Sequence, residues 1–577
     1  MIDLYSLFKK DINLLIGKLQ KDKIIDIFDV NKISIDYSSK SKQGDVSTNL
    51  FLIIIKYKLD EGVDFKKLIE EYFLKINYID SINFAKAGFI NINFKKESII
   101  IYLNNILNNN IEYENVNNKN INIEFVSANP TGPLHVAHMR GAVFGDVLSS
   151  LLKTVGYKIT KEYYVNNAGS QIKTLGISLF KRYQELFKIK VDILENEYPG
   201  EYLIEIAKII RERDEDKWLS YKNTKYRDEY FETFAVNYLI ENIKLDLSLI
   251  NINFDQFTFE SNIVKDNYID EVFKILSDNN LIYKGILAKP LGEDDNNWEP
   301  REQLLFRSTN FSDSVDRPFK KSNGEWTYFA NDSAYHLDKF KRNFYKLINI
   351  WGADHIGYIP RMKSVLKTFS NSNDYLEIVT CQIVRLIKDN KILKMSKREG
   401  NFVTLKEVYN EVGKDPLRYF MISTKSETSM DFDINKVIEK NKDNPVFYCQ
   451  YAYARASSVI NKANNLGINI SSFVQYQQIS EFLTKDEIEI ILKLLSYPYI
   501  LQQSSIHREP HRLTNFIEDI STLFHAFWNK GKDNESLRFI DENNIIKTQS
   551  KLIWLQSMRI IFENIFKIIG IDFHENM

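Results

Sequence analysis

The sequence predicts an α/β protein: a parallel-sheet central domain with a helical insertion, a smaller α+β domain before it and an all-α helical bundle behind. Three observations carry that reading. From residue 121 the pattern runs strand, turn, helix, strand, which opens a βαβ unit and hence a parallel sheet. The alternation returns at 346–384, and beyond residue 434 the apolar spacing is helical to the end of the chain.

Size and charge bound the rest. A chain of 577 residues exceeds one core, so about two to four domains are expected. Its 76 basic and 77 acidic residues nearly cancel, so no global field attracts a polyanion and any nucleic-acid contact must be local. Cys381 and Cys449 are the only cysteines; they cannot supply a disulfide framework or a four-thiolate zinc site. They fit a reducing compartment, which makes the cytoplasm the expected location. The N-terminus carries Asp3 and helical apolar spacing, unlike a signal peptide. Runs such as 51–55 fall short of the ~20 apolar residues of a membrane span, so no membrane partner is expected.

Residues 1–110 read as the α+β unit: helical patterns near 4–20, 47–58, 64–76 and 96–108 surround a period-two run at 81–94. An asparagine-rich linker at 108–120 follows. The central domain, 111–434, starts with a strand at 121–128 and the turn NPTGPLHVAHMRG. Next come a helix through 142–155, Gly156 as its stop, and a strand at 157–165. A largely helical insertion occupies about 170–280; strand signals resume at 346–355, a helix follows Pro360, and 375–384 reads as a strand. The terminal domain, 435–577, has helical patterns near 445–465, 485–505, 511–530 and 547–569.

Two motifs carry chemistry. His135 and His138 lie where a parallel strand has ended and a helix begins, the edge where ligands collect and free N–H groups favour anions. Imidazoles there can donate to phosphate. The alternatives are histidines that merely cap a helix and, ranked last, a metal pair: the spacing is one short of HxxxH and no Glu completes it. Downstream, Lys394, Met395, Ser396 and Lys397 lead a basic loop. Such a loop can neutralise a leaving pyrophosphate, although alone it is usually a solvated segment.

Together, HVAH and KMSKR about 260 residues apart resemble the HxGH and KMSKS signatures of class I aminoacyl-tRNA synthetases. The stretches EFVSANPTGPLHVAHMRGAVFGDVL and EYYVNNAGSQI resemble arginyl-tRNA synthetases in particular. So do GDVSTNLFL, AGFININ, WTYFANDSAYH, WGADHIGYIPRMK and YCQYAYARASS, which spread the likeness over most of the chain.

The resemblance implies a Rossmann-like catalytic domain that joins L-arginine to AMP and then moves it to the terminal adenosine of an arginine-accepting tRNA. It implies ATP with Mg2+ as the substrate complex, no tightly bound protein-ligated metal, and a monomer. His135 and His138 would stabilise the ATP phosphates, and Lys394 and Lys397 the departing pyrophosphate. Ala137, Gly352, Asp354, Met395 and Ser396 would border the nucleotide. Ser127, Ala128, Asn129, His138, Tyr328, Asp332 and His355 would hold arginine, with His355 where some arginyl enzymes place a glutamine. The N-terminal unit would approach the tRNA elbow, and Tyr451, Tyr453 and Arg455 of the bundle the anticodon bases. Two positions depart from the pattern: Ala137 replaces the HxGH glycine, tolerable if the backbone there is helical, and Asn167 replaces a common aspartate.

Two rivals are a small-molecule nucleotidylyltransferase, which leaves both flanking domains unexplained, and a degenerate relative that binds RNA without activating anything. A dinucleotide oxidoreductase is excluded because no GxGxxG follows a strand.

Overall fold

Five parallel strands form the central sheet: β1 (Asn120–Glu124), β2 (Lys158–Val165), β3 (Gln256–Phe259), β4 (Lys346–Gly352) and β5 (Leu376–Cys381). Their spatial order is β3-β2-β1-β4-β5, with every neighbouring pair parallel. The order reverses between β1 and β4, and in open parallel sheets the crevice beyond the strand ends at such a reversal is where ligands sit. The computed structural model describes residues 4–37, 44–108, 119–287, 300–311, 313–370, 372, 374–393, 403–469 and 476–575.

The strands are buried on both faces, so Ile121, Ile123, Tyr163, Val165, Leu347 and Ile348 are almost fully inaccessible. Helix α1 (Val136–Thr154) crosses from β1 to β2 and is itself surrounded: Met139, Val143, Val147, Leu148 and Leu151 are all at 0% exposure. Gly145 lets it approach the end of β1, since a Cβ there would lie 2.3 Å from the Phe125 ring. Two more helices cover the sheet near β4: α2 (Tyr328–Lys341) and α3 (Ile359–Ser370).

Polar residues interrupt the core at one level. Glu124 and Glu162 are register partners on β1 and β2, and Asn349 of β4 is the partner of Glu124 on its other side. Two adjacent buried carboxylates would repel without cations, and the end of α2 supplies them. Lys339 Nζ donates to Glu124 at 2.6 Å and to Asn349 at 3.3 Å. Arg342 straddles Glu162 at 2.8 and 2.9 Å, and Thr258 of β3 donates to the same carboxylate at 2.6 Å. Burial alone would raise Glu162, but Lys339 and Arg342 bring it below the usual carboxylate range.

Several elements differ from the sequence reading. The strand expected over 121–128 stops at Glu124, because Val126 and Ser127 turn into the left-handed region. The helix through 142–155 starts at the histidine turn as expected, at Val136, with His135 as its cap residue. The strand expected over 375–384 is two strands. After Cys381 the chain leaves the main sheet, and Val384–Lys388 pairs parallel with Met430–Asp433 and antiparallel with Lys391–Ile392. The pattern near 485–505 divides into Lys485–Leu495 and Tyr497–His507, where Pro498 starts the second helix. Within 170–280, helices Ser170–Glu185, Tyr202–Asp214 and Thr224–Leu249 share their own core around Trp218 and Phe231, and the chain then enters the main sheet as β3. A small antiparallel sheet of Ile282–Gly285, Gln303–Phe306 and Arg317–Lys320 follows.

Val116–Ile438 is one compact unit; Met1–Asn115 with Glu439–Met577 is the other. In the second, a four-stranded antiparallel sheet (35–37, 46–48, 90–94, 79–84) and its helices adjoin the C-terminal bundle. Tyr5 donates to Leu492 O at 3.2 Å, joining the first helix to the bundle. Among the described residues no helix is long and apolar enough to cross a membrane.

The charged belt sets a stability test. Lys339→Met keeps the volume but leaves Glu124 buried without its cation, and is expected to destabilise the central unit by about 3 kcal/mol in chemical unfolding. A change under about 0.5 kcal/mol would mean that the belt does not hold α2 in place.

Candidate active site

At the reversal point, beyond the ends of β1 and β4, lies a cavity of about 1040 Å³. Its first wall is the segment after β1. Val126 (φ 65°) and Ser127 (φ 39°) are left-handed although neither is glycine, a strained reversal for a β-branched residue. Ser127 locks it: its hydroxyl donates to Glu124 Oε1 at 3.1 Å and accepts from the Tyr164 N–H at 3.1 Å. Ala128 O receives the buried Tyr163 hydroxyl at 2.8 Å, and Asn129 reaches Gln171 across the mouth at 3.0 Å.

The second wall is the N-terminus of α1. His135 is its cap residue, and the His135 N–H donates to His138 Nδ1 at 3.3 Å. That bond makes Nδ1 of His138 an acceptor, so a neutral ring carries its proton on Nε2. The two rings lie 3.9 Å apart and both line the cavity. Ala137 sits in the first helical turn, a conformation open to any residue, and lines the cavity as well.

The segment that starts at Val403 is anchored here. Thr404 bridges His135, Val136 donates to Val403 O at 3.3 Å, and Leu405 donates to Leu134 O at 2.9 Å. Lys394, Met395, Ser396 and Lys397 lie outside the described residues. Arg140, fully buried one turn into α1, donates to Lys425 O at 2.7 Å, Thr424 at 3.1 Å, Gln382 O at 3.2 Å and Thr428 O. It thereby fixes α1 to the end of β5 and to the segment 424–428; Cys381 and Gln382 also line the cavity.

The far wall is acidic and aromatic. Tyr328, 68% exposed, and Asp332 stand one turn apart on α2. Tyr358 donates to Asp332 Oδ2 at 2.6 Å. Burial pushes the Asp332 carboxyl up to about 7, with Tyr358 opposing and the nearby Glu124 and Glu260 adding to the rise. His336 donates to Asp332 O at 2.7 Å through Nδ1, and its Nε2 lies 2.9 Å from the Asn349 amide. Burial and Lys339 lower His336 to about 3, so it is neutral at physiological pH. Gly352, Asp354 and His355 form the rim at the end of β4; His355 Nε2 lies 3.5 Å from Asp354.

Of the residues singled out in the sequence, Ser127, Ala128, Asn129, His135, Ala137, His138, Tyr328, Asp332, Gly352, Asp354 and His355 all border this one cavity. Sequence reasoning missed Glu124, Tyr164 and Tyr358, which border it too. An acid inside the apolar strand INIEFV was the available signal for Glu124; the two tyrosines gave none. On the bundle helix Pro445–Asn465, Arg455 stacks between Tyr451 (4.1 Å) and Trp528 (4.9 Å). Tyr453 is only 1% exposed and donates to Glu563 at 2.9 Å, which takes it out of reach of a base.

The arrangement offers imidazoles and a helix N-terminus to an anion on one side, and carboxylates with an aromatic ring to a cation on the other. Three family models match the chain: the arginyl tRNA synthetase N terminal domain over 8–94, the catalytic domain of tRNA synthetases class I (R) over 102–455, and the DALR anticodon binding domain over 449–577. The chain is 41% identical to the arginine–tRNA ligase of Ehrlichia ruminantium over 91% of each chain. It is 40% identical to that of Pelagibacter ubique over 100% of each. The solved arginyl-tRNA synthetase of Thermus thermophilus superposes with a TM-score of 0.74 over 100% of both chains at 16% identity, a likeness of fold.

The raised Asp332 carboxyl gives a pH test. A folded-state value above the unfolded one costs stability once the pH exceeds the unfolded value, and that cost grows until the folded group is itself ionised. Asp332→Asn is therefore expected to melt higher than the parent, by a margin that widens from about pH 4 to about pH 7 and then levels. A margin independent of pH, followed by calorimetry, would refute the burial argument.

Proposed function

The chain belongs to the arginyl-tRNA synthetase family, and from that premise we propose how its residues divide the reaction. It is an arginine–tRNA ligase: ATP and L-arginine give arginyl-adenylate and pyrophosphate, and the arginyl group then passes to the 3′-terminal adenosine of tRNA. In the first step an oxygen of the α-carboxylate attacks the α-phosphorus and the bond to the β-phosphate breaks. The carboxylate, with an unperturbed pKa of about 3.5, arrives ionised, so this step needs no general base. Positioning and charge stabilisation carry the rate.

In this reading ATP enters with Mg2+ as substrate. His135 and His138 donate to its phosphates beside the N-terminus of α1, and Ala137, Gly352 and Asp354 border the nucleoside. Lys394 and Lys397, with Met395 and Ser396 between them, neutralise the leaving pyrophosphate, a role carried over from the KMSK motif. Asp332 accepts the guanidinium with Tyr328 flat beside it, while Ser127, Ala128, Asn129 and His355 surround the amino-acid backbone. In the second step a ribose hydroxyl of the terminal adenosine attacks the arginyl carbonyl carbon and AMP leaves. The N-terminal unit serves the tRNA elbow and the bundle the anticodon, with Tyr451 and Arg455 available for stacking. The protein acts as a monomer in the cytoplasm.

The observation that carries the reading is that the histidine turn and Asp332 border one cavity at the reversal point of the sheet. ATP–pyrophosphate exchange with each amino acid, with and without tRNA, tests it. Exchange is expected with arginine alone and with tRNA present; exchange with another amino acid overturns the specificity, and tight RNA binding without exchange favours a degenerate relative. Asp332→Ala is expected to raise the arginine KM roughly tenfold or more while the ATP KM stays unchanged. Equal effects on both would mean that Asp332 does not face the guanidinium.

A further inference from the structure

Asp332 is the acid that the proposed reading gives to the guanidinium, and its surroundings are unfavourable to an anion. Glu124 on β1 and Glu260 at the start of helix Glu260–Lys265 both raise its carboxyl, and Tyr164 on β2 borders the same space. From its own helix come Tyr328, which lines the same cavity, and His336, neutral and bonded to the Asp332 backbone. Against these stand one hydroxyl and one cation. Tyr358, from the short 3-10 helix Ala353–Tyr358, donates to Oδ2 at 2.6 Å, and none of the described residues donates to Oδ1. The Arg361 guanidinium lies 4.6 Å from the centre of the Tyr358 ring and is the cation that acts on Asp332. Trp351 lies against the same ring, 6.0 Å away centroid to centroid.

We propose that Tyr358, backed by Arg361, is a positioning residue for the activation step: it holds Asp332 as an oriented anion with one oxygen left for the guanidinium of arginine. The inference rests on the reading of Asp332 as the guanidinium acceptor and extends it. The hydroxyl fixes the plane of the carboxylate through one oxygen. It also stabilises the charged form, because a hydrogen bond to an ionised group is stronger than one to its neutral form. A protonated Asp332 could still accept a hydrogen bond but would lose the ion pair, so arginine would bind more weakly wherever the proton stays on.

The test is Tyr358→Phe in the full-length protein, with arginine and ATP KM measured by aminoacylation across pH. In the parent the arginine KM rises as the pH falls through about 7, where Asp332 takes up its proton. Without the hydroxyl the proton is held more tightly, so that rise begins at higher pH. At neutral pH the arginine KM is expected to increase roughly tenfold, the ATP KM to stay put, and the difference to close as the pH rises. A merely structural contact would give a deficit that does not change with pH, and that result overturns the proposal. Arg361→Gln removes the cation over the ring and is expected to move the profile in the same direction, which keeps the test readable should Tyr358→Phe fold poorly; an unmoved profile counts against the pairing. Asp332→Asn separates the two levels: if it leaves the arginine KM intact, the guanidinium assignment fails, whereas a large effect there with an unshifted Tyr358→Phe profile sinks only the role of Tyr358.

Discussion

The structure of the site depends on a pair of buried carboxylates that cannot stand alone. Glu124 and Glu162 are neighbours across β1 and β2, and the cations Lys339 and Arg342, at the far end of α2, offset their charge while Ser127 donates to Glu124 and Thr258 to Glu162. The same helix carries Tyr328 and Asp332 at its near end. The charge pairing therefore fixes more than stability: it sets where along the sheet α2 sits, and so where its acidic turn meets the cavity. Buried ion pairs often add little net stability over apolar packing, but they penalise wrong registers heavily.

A second consequence is electrostatic. Asp332 lies among Glu124 and Glu260 in a mostly enclosed place, an arrangement with little value to the empty protein. A planar cation changes the balance, because it satisfies the acid and relieves the mutual repulsion at once. A neutral or shorter side chain would leave the acid unpaired, and sites built on buried polar groups reject such ligands strongly. The strained turn at Val126 and Ser127 belongs to the same arrangement, since it forms one wall of the cavity while Ser127 bonds back to Glu124.

Much of this was legible in the sequence, for identifiable reasons. His135 and His138 could be placed because a strand, a proline and glycine turn and a helix follow one another locally. Tyr328 and Asp332 could be named only through resemblance, because a Tyr and an Asp at helical spacing mean nothing by themselves. Glu124 and Tyr358 act through contacts 215 and 26 residues away in the chain, which no local pattern encodes. The edge strand β3 is four residues long and follows a 26-residue helix, so its period-two signal is drowned. The break after Cys381 depends on Arg140 and the segment at 424–428, far away in sequence. Tyr453 illustrates the limit of composition: it lies two residues from Tyr451 yet packs in the opposite direction, into the bundle core.

In the proposed function a single adenylate spans one cavity, from the helix start at His135 and His138 to the acid at Asp332. A crystal structure of the protein with a non-hydrolysable arginyl-adenylate analogue tests that most directly. The guanidinium is expected within hydrogen-bond distance of Asp332, the phosphate mimic beside His135 and His138, and the adenosine along Gly352 to His355. A guanidinium bound away from Asp332, or an analogue that leaves the histidine turn untouched, would contradict it.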